Sequence, residues 1–425
     1  MAQSLRVIVV GLGSAGDVHP MVGLALELRR RGHEVVLVAP EPFAALAHRL
    51  GLEFEPVLSG AEIDSALKDP NAWHPTRAFF VVARRLVIPS VRPVYEIIRR
   101  RMVPGRTVAV ASGITLGARI AQEHLGVPLA TAHLQPIMLR SVIRPACYGF
   151  PDVIAHLPRS LRRLYLAAAD RFLIDPALAS AVNAFRAELG LPPVARLLDR
   201  WVHSPQLVLG LFPEWYAPPA PDWPPNVVLT GFPLWDEREV RPVSPELEAF
   251  LAAGEPPLAF TAGSAMMQGH DFFRVSVEAC RRAGRRALLL TQHPEQLPAT
   301  LPAGVRHVSY APFSTLLPRC AALVHHGGIG TSAQALAAGI PQLVVPFAHD
   351  QPDNAMHLRH LGVAEMLPAR RYSTRRLAGR LAALQAPSLL ESCRRHARRM
   401  AGRRAIPDAC AAIEALVQSA GESLA

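Results

Sequence analysis

A chain of 425 residues, half of them hydrophobic, is long enough for two buried cores of roughly 200 residues each. No apolar run approaches the ~20 residues that span a bilayer, and residues 5–12 are too short and too soon broken by glycine for a signal peptide, so a cytoplasmic protein is expected. The formal charge of +11 is carried almost wholly by arginine, with clusters at residues 99–101 and at Arg394, Arg395, Arg398, Arg399, Arg403 and Arg404. No recognition module or interleaved aromatics accompany them, which argues against nucleic acid. A solvated helix face is the first reading and an anionic membrane surface, at its inner face, the second. Five scattered cysteines without C-x-x-C spacing exclude a disulfide framework and a structural zinc.

Residues 5–10 are apolar and β-rich, a buried parallel strand. They run into Gly11-Leu12-Gly13-Ser14-Ala15-Gly16-Asp17-Val18-His19-Pro20, with a helix predicted over residues 21–31. The turn satisfies G-x-G-x-x-G and raises a nicotinamide or flavin enzyme. That rival expects an acidic residue at the end of the second strand, but residues 34–38 end in Ala39-Pro40, with Glu41 between two prolines. Residues 59–106 are looser, with Trp73, Phe79, Phe80 and Tyr95 among polar residues. This suits either the walls of a hydrophobic acceptor pocket or core under long loops. Strands at 108–111 and 128–132 flank a helix at 116–125, and the alternation implies a parallel sheet; His133 leaves its last strand toward the same cleft.

Residues 159–191 are helix-rich, and the tryptophans and prolines of 201–236 mark an irregular closing segment. The charged, proline-bearing residues 237–244 read as a linker, dividing the chain into a domain of residues 1–236 and one of 245–425. The second domain starts afresh with a strand at 257–261 that enters Ala262-Gly263-Ser264-Ala265; another at 305–310 ends at Tyr310. A third, at 320–324, delivers His325, His326, Gly327, Gly328 and Gly330. Thr331 is then expected to cap a helix that stops at Gly339, before a strand at 340–346 and the polar pair Asp350 and Gln351. The tail over 370–417 is helical and arginine-rich.

A glycine loop opening a helix presents unobstructed backbone N–H groups and the positive end of the helix dipole, which suits a phosphate. The dipole contributes only ~0.3–1 kcal/mol when exposed and up to ~2 kcal/mol when partly buried, so the two imidazoles are expected to carry much of the anion affinity. The alternative is a tight turn with two packed histidines.

The pattern H-H-G-G-x-G-T, followed about twenty residues later by D-Q, resembles the donor-binding signature of the family 1 glycosyltransferases. The resemblance implies a GT-B fold: two Rossmann-like α/β domains facing a central cleft, with the last helix crossing back to the first domain. It also implies roles. His325, His326, Gly327, Gly328, Gly330 and Thr331 hold the diphosphate of a nucleotide sugar, Gly263 and Ser264 contact it, and Asp350 and Gln351 grip the sugar hydroxyls. Tyr310 occupies the place of a base-stacking aromatic, although Phe313 replaces the glutamine of that motif. Residues 13–20 are similar to the G-x-x-G-D-V-x-P turn of bacterial antibiotic glycosyltransferases, which makes Asp17 the candidate general base, with His19 a neighbouring alternative and helix capping its structural role. Trp73, Phe79 and His133 are the candidate acceptor contacts.

The G-S-A-G-D turn, the A-H-D-Q-x-D-N block and the segment 201–236 resemble most the rhamnosyltransferases of rhamnolipid biosynthesis. This implies L-rhamnose from a thymidine diphosphate donor and a hydroxy-fatty acceptor. A uridine diphosphate glucose enzyme acting on a polyketide, sterol or flavonoid is the nearest alternative. A nicotinamide enzyme and a non-catalytic binding protein follow. No cofactor is implied beyond the nucleotide sugar. There is no D-x-D motif for a metal, and the positions of His349, His357 and His360 argue against zinc.

Overall fold

In the computed structural model, residues 4–149, 152–402 and 404–422 are described; Arg403 of the arginine cluster lies outside them. The first sheet is built from β1 (Arg6–Val10), β2 (Glu34–Ala39), β3 (Glu53–Pro56), β4 (Thr107–Ser112), β5 (Leu129–His133), β6 (Leu207–Gly210) and β7 (Val227–Leu229). Its order is β3-β2-β1-β4-β5-β6-β7, all parallel. The second comprises β8 (Leu258–Thr261), β9 (Ala287–Leu290), β10 (Val305–Val308), β11 (Ala322–His325), β12 (Gln342–Val344) and β13 (Ala364–Met366), ordered β10-β9-β8-β11-β12-β13, again parallel. Two doubly wound Rossmann-like domains are the GT-B architecture.

Strands buried on both faces explain the continuous apolar runs: every residue of β4, β5, β8, β9 and β11 is buried. The segment expected to be irregular, 201–236, contributes β6 and β7, which the surrounding prolines disguise. A helix, Pro245–Ala252, precedes the strand with which the second domain was expected to begin. Its start signal is legible, since Ser244 Oγ accepts from Leu247 N at 3.3 Å and Pro245 opens the first turn.

Four helices position the site: α1 (Ala15–Arg30), α2 (Ile329–Ala338), α3 (Gln351–His360) and α4 (Ala405–Glu422). The last returns to the first domain as expected. Glu414 accepts from Arg31 Nη1 at 2.8 Å and lies 2.9 Å from His33 Nε2, and Arg31 Nη2 reaches the Pro407 carbonyl at 2.8 Å. Cys410 and Ile413 are fully buried, so apolar packing runs without a break from one domain to the other.

In each sheet the strand order reverses at one point, between β1 and β4 and between β8 and β11. Open parallel sheets bind ligands outside the carboxyl ends of their strands at such points. The Gly11–Asp17 turn leaves one of them, and the Gly263 and Gly327–Gly328 turns leave the other.

Candidate active site

On the first domain, Gly13 has φ +126°, and a Cβ there would overlap Asp17 Oδ2. Only glycine fits. Ser14 is the residue before the helix, and Asp17 Oδ2 accepts from Ser14 N at 2.9 Å and from Ser14 Oγ at 3.2 Å. The helix therefore begins at Ala15, well before the predicted start, and runs through Pro20; Asp17 lies in its first turn and caps it from there, as the partner of Ser14 in a capping box. Burial pushes the Asp17 carboxyl up to about 6 against the two Ser14 bonds, which lower it. His19 faces the other way. Its ring packs edge-on to Trp235 at 5.2 Å with Glu237 3.6 Å distant, and burial pushes it down to about 4, so it is neutral at physiological pH and turned toward the linker.

On the second domain, His325 is fully buried at the end of β11. Its Nδ1 accepts the Gly327 N–H at 3.1 Å, so its proton sits on Nε2, which donates to Gln342 Oε1 at 3.0 Å. Both nitrogens are spent inside the chain, and burial pushes the ring down to about 3. The expectation that His325 donates to a phosphate is corrected: it pins the glycine loop. The neighbouring His326 is the one between the two turns. A Cβ on Gly263, at φ +99°, would come within 2.9 Å of its Nε2, and one on Gly328 would overlap it. His326 Nδ1 has no partner among the described residues.

Gly328, not Thr331, is the residue that precedes α2, and it has no side chain to cap the helix. The N–H groups of Ile329, Gly330 and Thr331 in the first turn are thus open to an anion. Ser264 stands exposed at the facing turn.

Beyond β12 the chain turns through His349, a non-glycine residue at φ +60°, into α3. Gln351 is buried and its Oε1 accepts from Phe347 N at 2.8 Å and Ala348 N at 3.2 Å, so half of its amide holds the turn. Asp350 Oδ2 accepts from Asn354 Nδ2 at 2.6 Å. Burial pushes Asp350 up to about 7, and the next largest cause is the negative charge of Asp17 from the opposite domain. The first turns of α1 and α2 also meet, since a Cβ on Gly330 would lie 4.0 Å from the Gly16 carbonyl oxygen. Asp17, the open helix terminus and Asp350 therefore converge on one cleft.

The remaining candidates are more dispersed. The Tyr310 hydroxyl accepts from Glu237 N at 3.0 Å, and the Arg241 guanidinium covers its ring at 4.3 Å. Trp73 reaches the second domain, edge-on to His349 at 5.3 Å. Phe79 packs against Phe80 at 5.5 Å within the first domain. His133 is buried beneath Gly113 with its Nε2 2.9 Å from His203 Nδ1, so it does not present a surface to the cleft. Among the described residues no three His, Cys, Asp or Glu side chains are grouped to hold a metal, and no helix is long and apolar enough to cross a membrane. Three residues outside the sequence candidates adjoin Asp350: Asn354 bonds it, Tyr216 bonds Asn354, and Asp353 shares the helical turn of Asn354; for 353 and 354 the D-Q-x-D-N spacing is the signal in the sequence, and for Tyr216 there is none.

Residues 7–143 match the glycosyltransferase family 28 N-terminal domain, and residues 287–415 match the erythromycin biosynthesis protein CIII-like C-terminal domain. The chain is 34% identical to O-mycaminosyltylonolide 6-deoxyallosyltransferase of Streptomyces fradiae, covering 96% of this chain and 97% of that protein. It is 30% identical to dTDP-epi-vancosaminyltransferase of Amycolatopsis orientalis over 80% of this chain and 79% of the other. Among solved structures, that of glycosyltransferase VinC in complex with dTDP superposes with a TM-score of 0.69 at 20% identity, covering 98% of this chain and all of that one. The narrower likeness to rhamnolipid rhamnosyltransferases rests on the motifs alone.

Proposed function

Because the chain belongs to the family 1 glycosyltransferases of the GT-B fold, we propose that it transfers a deoxysugar from a thymidine diphosphate donor to a hydroxyl of a polyketide or macrolide-type acceptor. One observation carries this reading: Asp17 and the open first turn of α2 approach the same cleft from opposite domains. The names of the two relatives support the donor and acceptor classes.

In the proposed reaction the acceptor oxygen attacks the anomeric carbon while its proton passes to Asp17, and the bond from that carbon to the diphosphate oxygen breaks. General-base assistance of this kind contributes ~10²–10⁴ in rate. Negative charge grows on the departing diphosphate, where the N–H groups of Ile329, Gly330 and Thr331, the α2 dipole, Ser264 and His326 would receive it. Asp350 and the free half of the Gln351 amide would hold sugar hydroxyls. With one carboxylate acting on the acceptor and none placed as a nucleophile, displacement is single and inverts the anomeric centre.

The turn and D-Q motifs favour a second reading, L-rhamnose transferred to a hydroxy-fatty acceptor. Purified protein assayed with matched thymidine and uridine diphosphate sugars, a macrolide aglycone and a hydroxyacyl lipid, with products read by mass, separates the two. Glycosylated aglycone with the thymidine donors supports the first; rhamnosylated lipid alone replaces it with the second.

A further inference from the structure

Asn354 is fully buried in the first turn of α3 and uses its whole amide. Its Nδ2 donates to Asp350 Oδ2 at 2.6 Å and to the Gly327 carbonyl at 2.9 Å, and its Oδ1 accepts from the Tyr216 hydroxyl at 3.3 Å. Two donors directed at two acceptors and one acceptor facing a hydroxyl fix which way the amide points. Aspartate in its place would set a second negative charge against Asp350. Tyr216 comes from the loop between β6 and β7 of the first domain. It is buried, packed on His357 at 4.9 Å and on Phe232 at 5.0 Å. A second tie lies beside it, where Asp353 Oδ1 accepts from Cys147 N at 2.8 Å.

We propose that Asn354 is a positioning residue that aims the Asp350 carboxylate at the donor sugar, and that Tyr216 lets the first domain set that aim. The inference rests on the reading of Asp350 as a sugar contact. Gly327 has an independent anchor, since its N–H is held by His325, whereas Asp350 has Asn354 as its side-chain partner. Loss of Asn354 therefore falls on the sugar more than on the diphosphate. A residue that only stabilised the fold would affect both alike.

The test is calorimetric titration of wild type, Tyr216→Phe and Asn354→Ala with thymidine diphosphate and with thymidine diphosphate glucose between pH 6 and 9. Tyr216→Phe keeps the packed ring and so guards against misfolding. Expected is a loss of about fivefold in sugar-nucleotide affinity for Tyr216→Phe and about thirtyfold for Asn354→Ala, with diphosphate affinity within about threefold throughout. The pH below which sugar-nucleotide binding weakens should also rise in Asn354→Ala, because the amide that holds the Asp350 carboxyl down is gone. Equal losses for both ligands would overturn the inference alone. A wild-type protein that binds both equally would overturn the role of Asp350, and one that binds neither would overturn the donor reading itself.

Discussion

Asp17 and Asp350 face each other across the interdomain cleft, one in the first turn of α1 and the other at the start of α3, near enough that the charge on Asp17 raises the pKa of Asp350. Two carboxylates held together in a partly dry groove resist ionising at once. In the proposed reaction this coupling would tie the acceptor side to the donor side.

Asp17→Asn should therefore separate chemistry from binding. Turnover is expected to fall by ~10²–10⁴, the range of general-base assistance, while the dissociation constant for thymidine diphosphate stays within about twofold. Single-turnover kinetics beside calorimetry check this; retained turnover excludes Asp17 as base.

The pH profile follows from the same pair. With carboxyls at about 6 for Asp17 and about 7 for Asp350, kcat/KM should fall as pH drops through 7 and more steeply below 6. Removing the Asp17 charge should let Asp350 ionise more easily, so Asp17→Asn should bind nucleotide sugar down to a lower pH than wild type. Calorimetry at half-unit steps reads the shift.

Asp350 should also cost stability. Its folded-state pKa, about 7, lies above the ordinary 3.8, so the folded chain holds this proton more tightly than the unfolded chain does. The stability this contributes is fully present below about 3.8 and is lost as pH rises to about 7. Asp350→Asn should raise Tm by about 3 °C at pH 8 and leave it unchanged at pH 4. A thermal scan at both pH values tests the sign.

Gly13→Ala adds a Cβ that overlaps Asp17 Oδ2 at a backbone angle side chains avoid. The carboxylate must move, so activity should fall by about 100-fold or more. Because α1 starts beyond the turn, thymidine diphosphate affinity should persist; a fully active variant would show that the Asp17 position is not critical.

The sheets, the glycine turns and the D-Q pair were legible because buried parallel strands ending in glycine have few alternative structures. Less was legible where tertiary contact overrides local signal. Pro20 suggested a later start for α1, yet the reciprocal bonds of Ser14 and Asp17 begin it at Ala15. Spacing placed two histidines at the anion loop but could not say that His325 spends both nitrogens on Gly327 and Gln342. His133, Phe79 and Tyr310 had the right chemistry, and only the fold shows His133 buried against His203 and Arg241 covering Tyr310. Asn354 matters through Tyr216, 138 residues away in the chain, a distance no local pattern spans.

The central claim is that the diphosphate lies at the first turn of α2, opposite Asp17. Crystals grown with thymidine diphosphate test it most directly. The account predicts ligand density against the N–H groups of Ile329, Gly330 and Thr331, with His326 and Ser264 alongside. Density at the Gly11–Gly16 turn, with the α2 terminus empty, would contradict it.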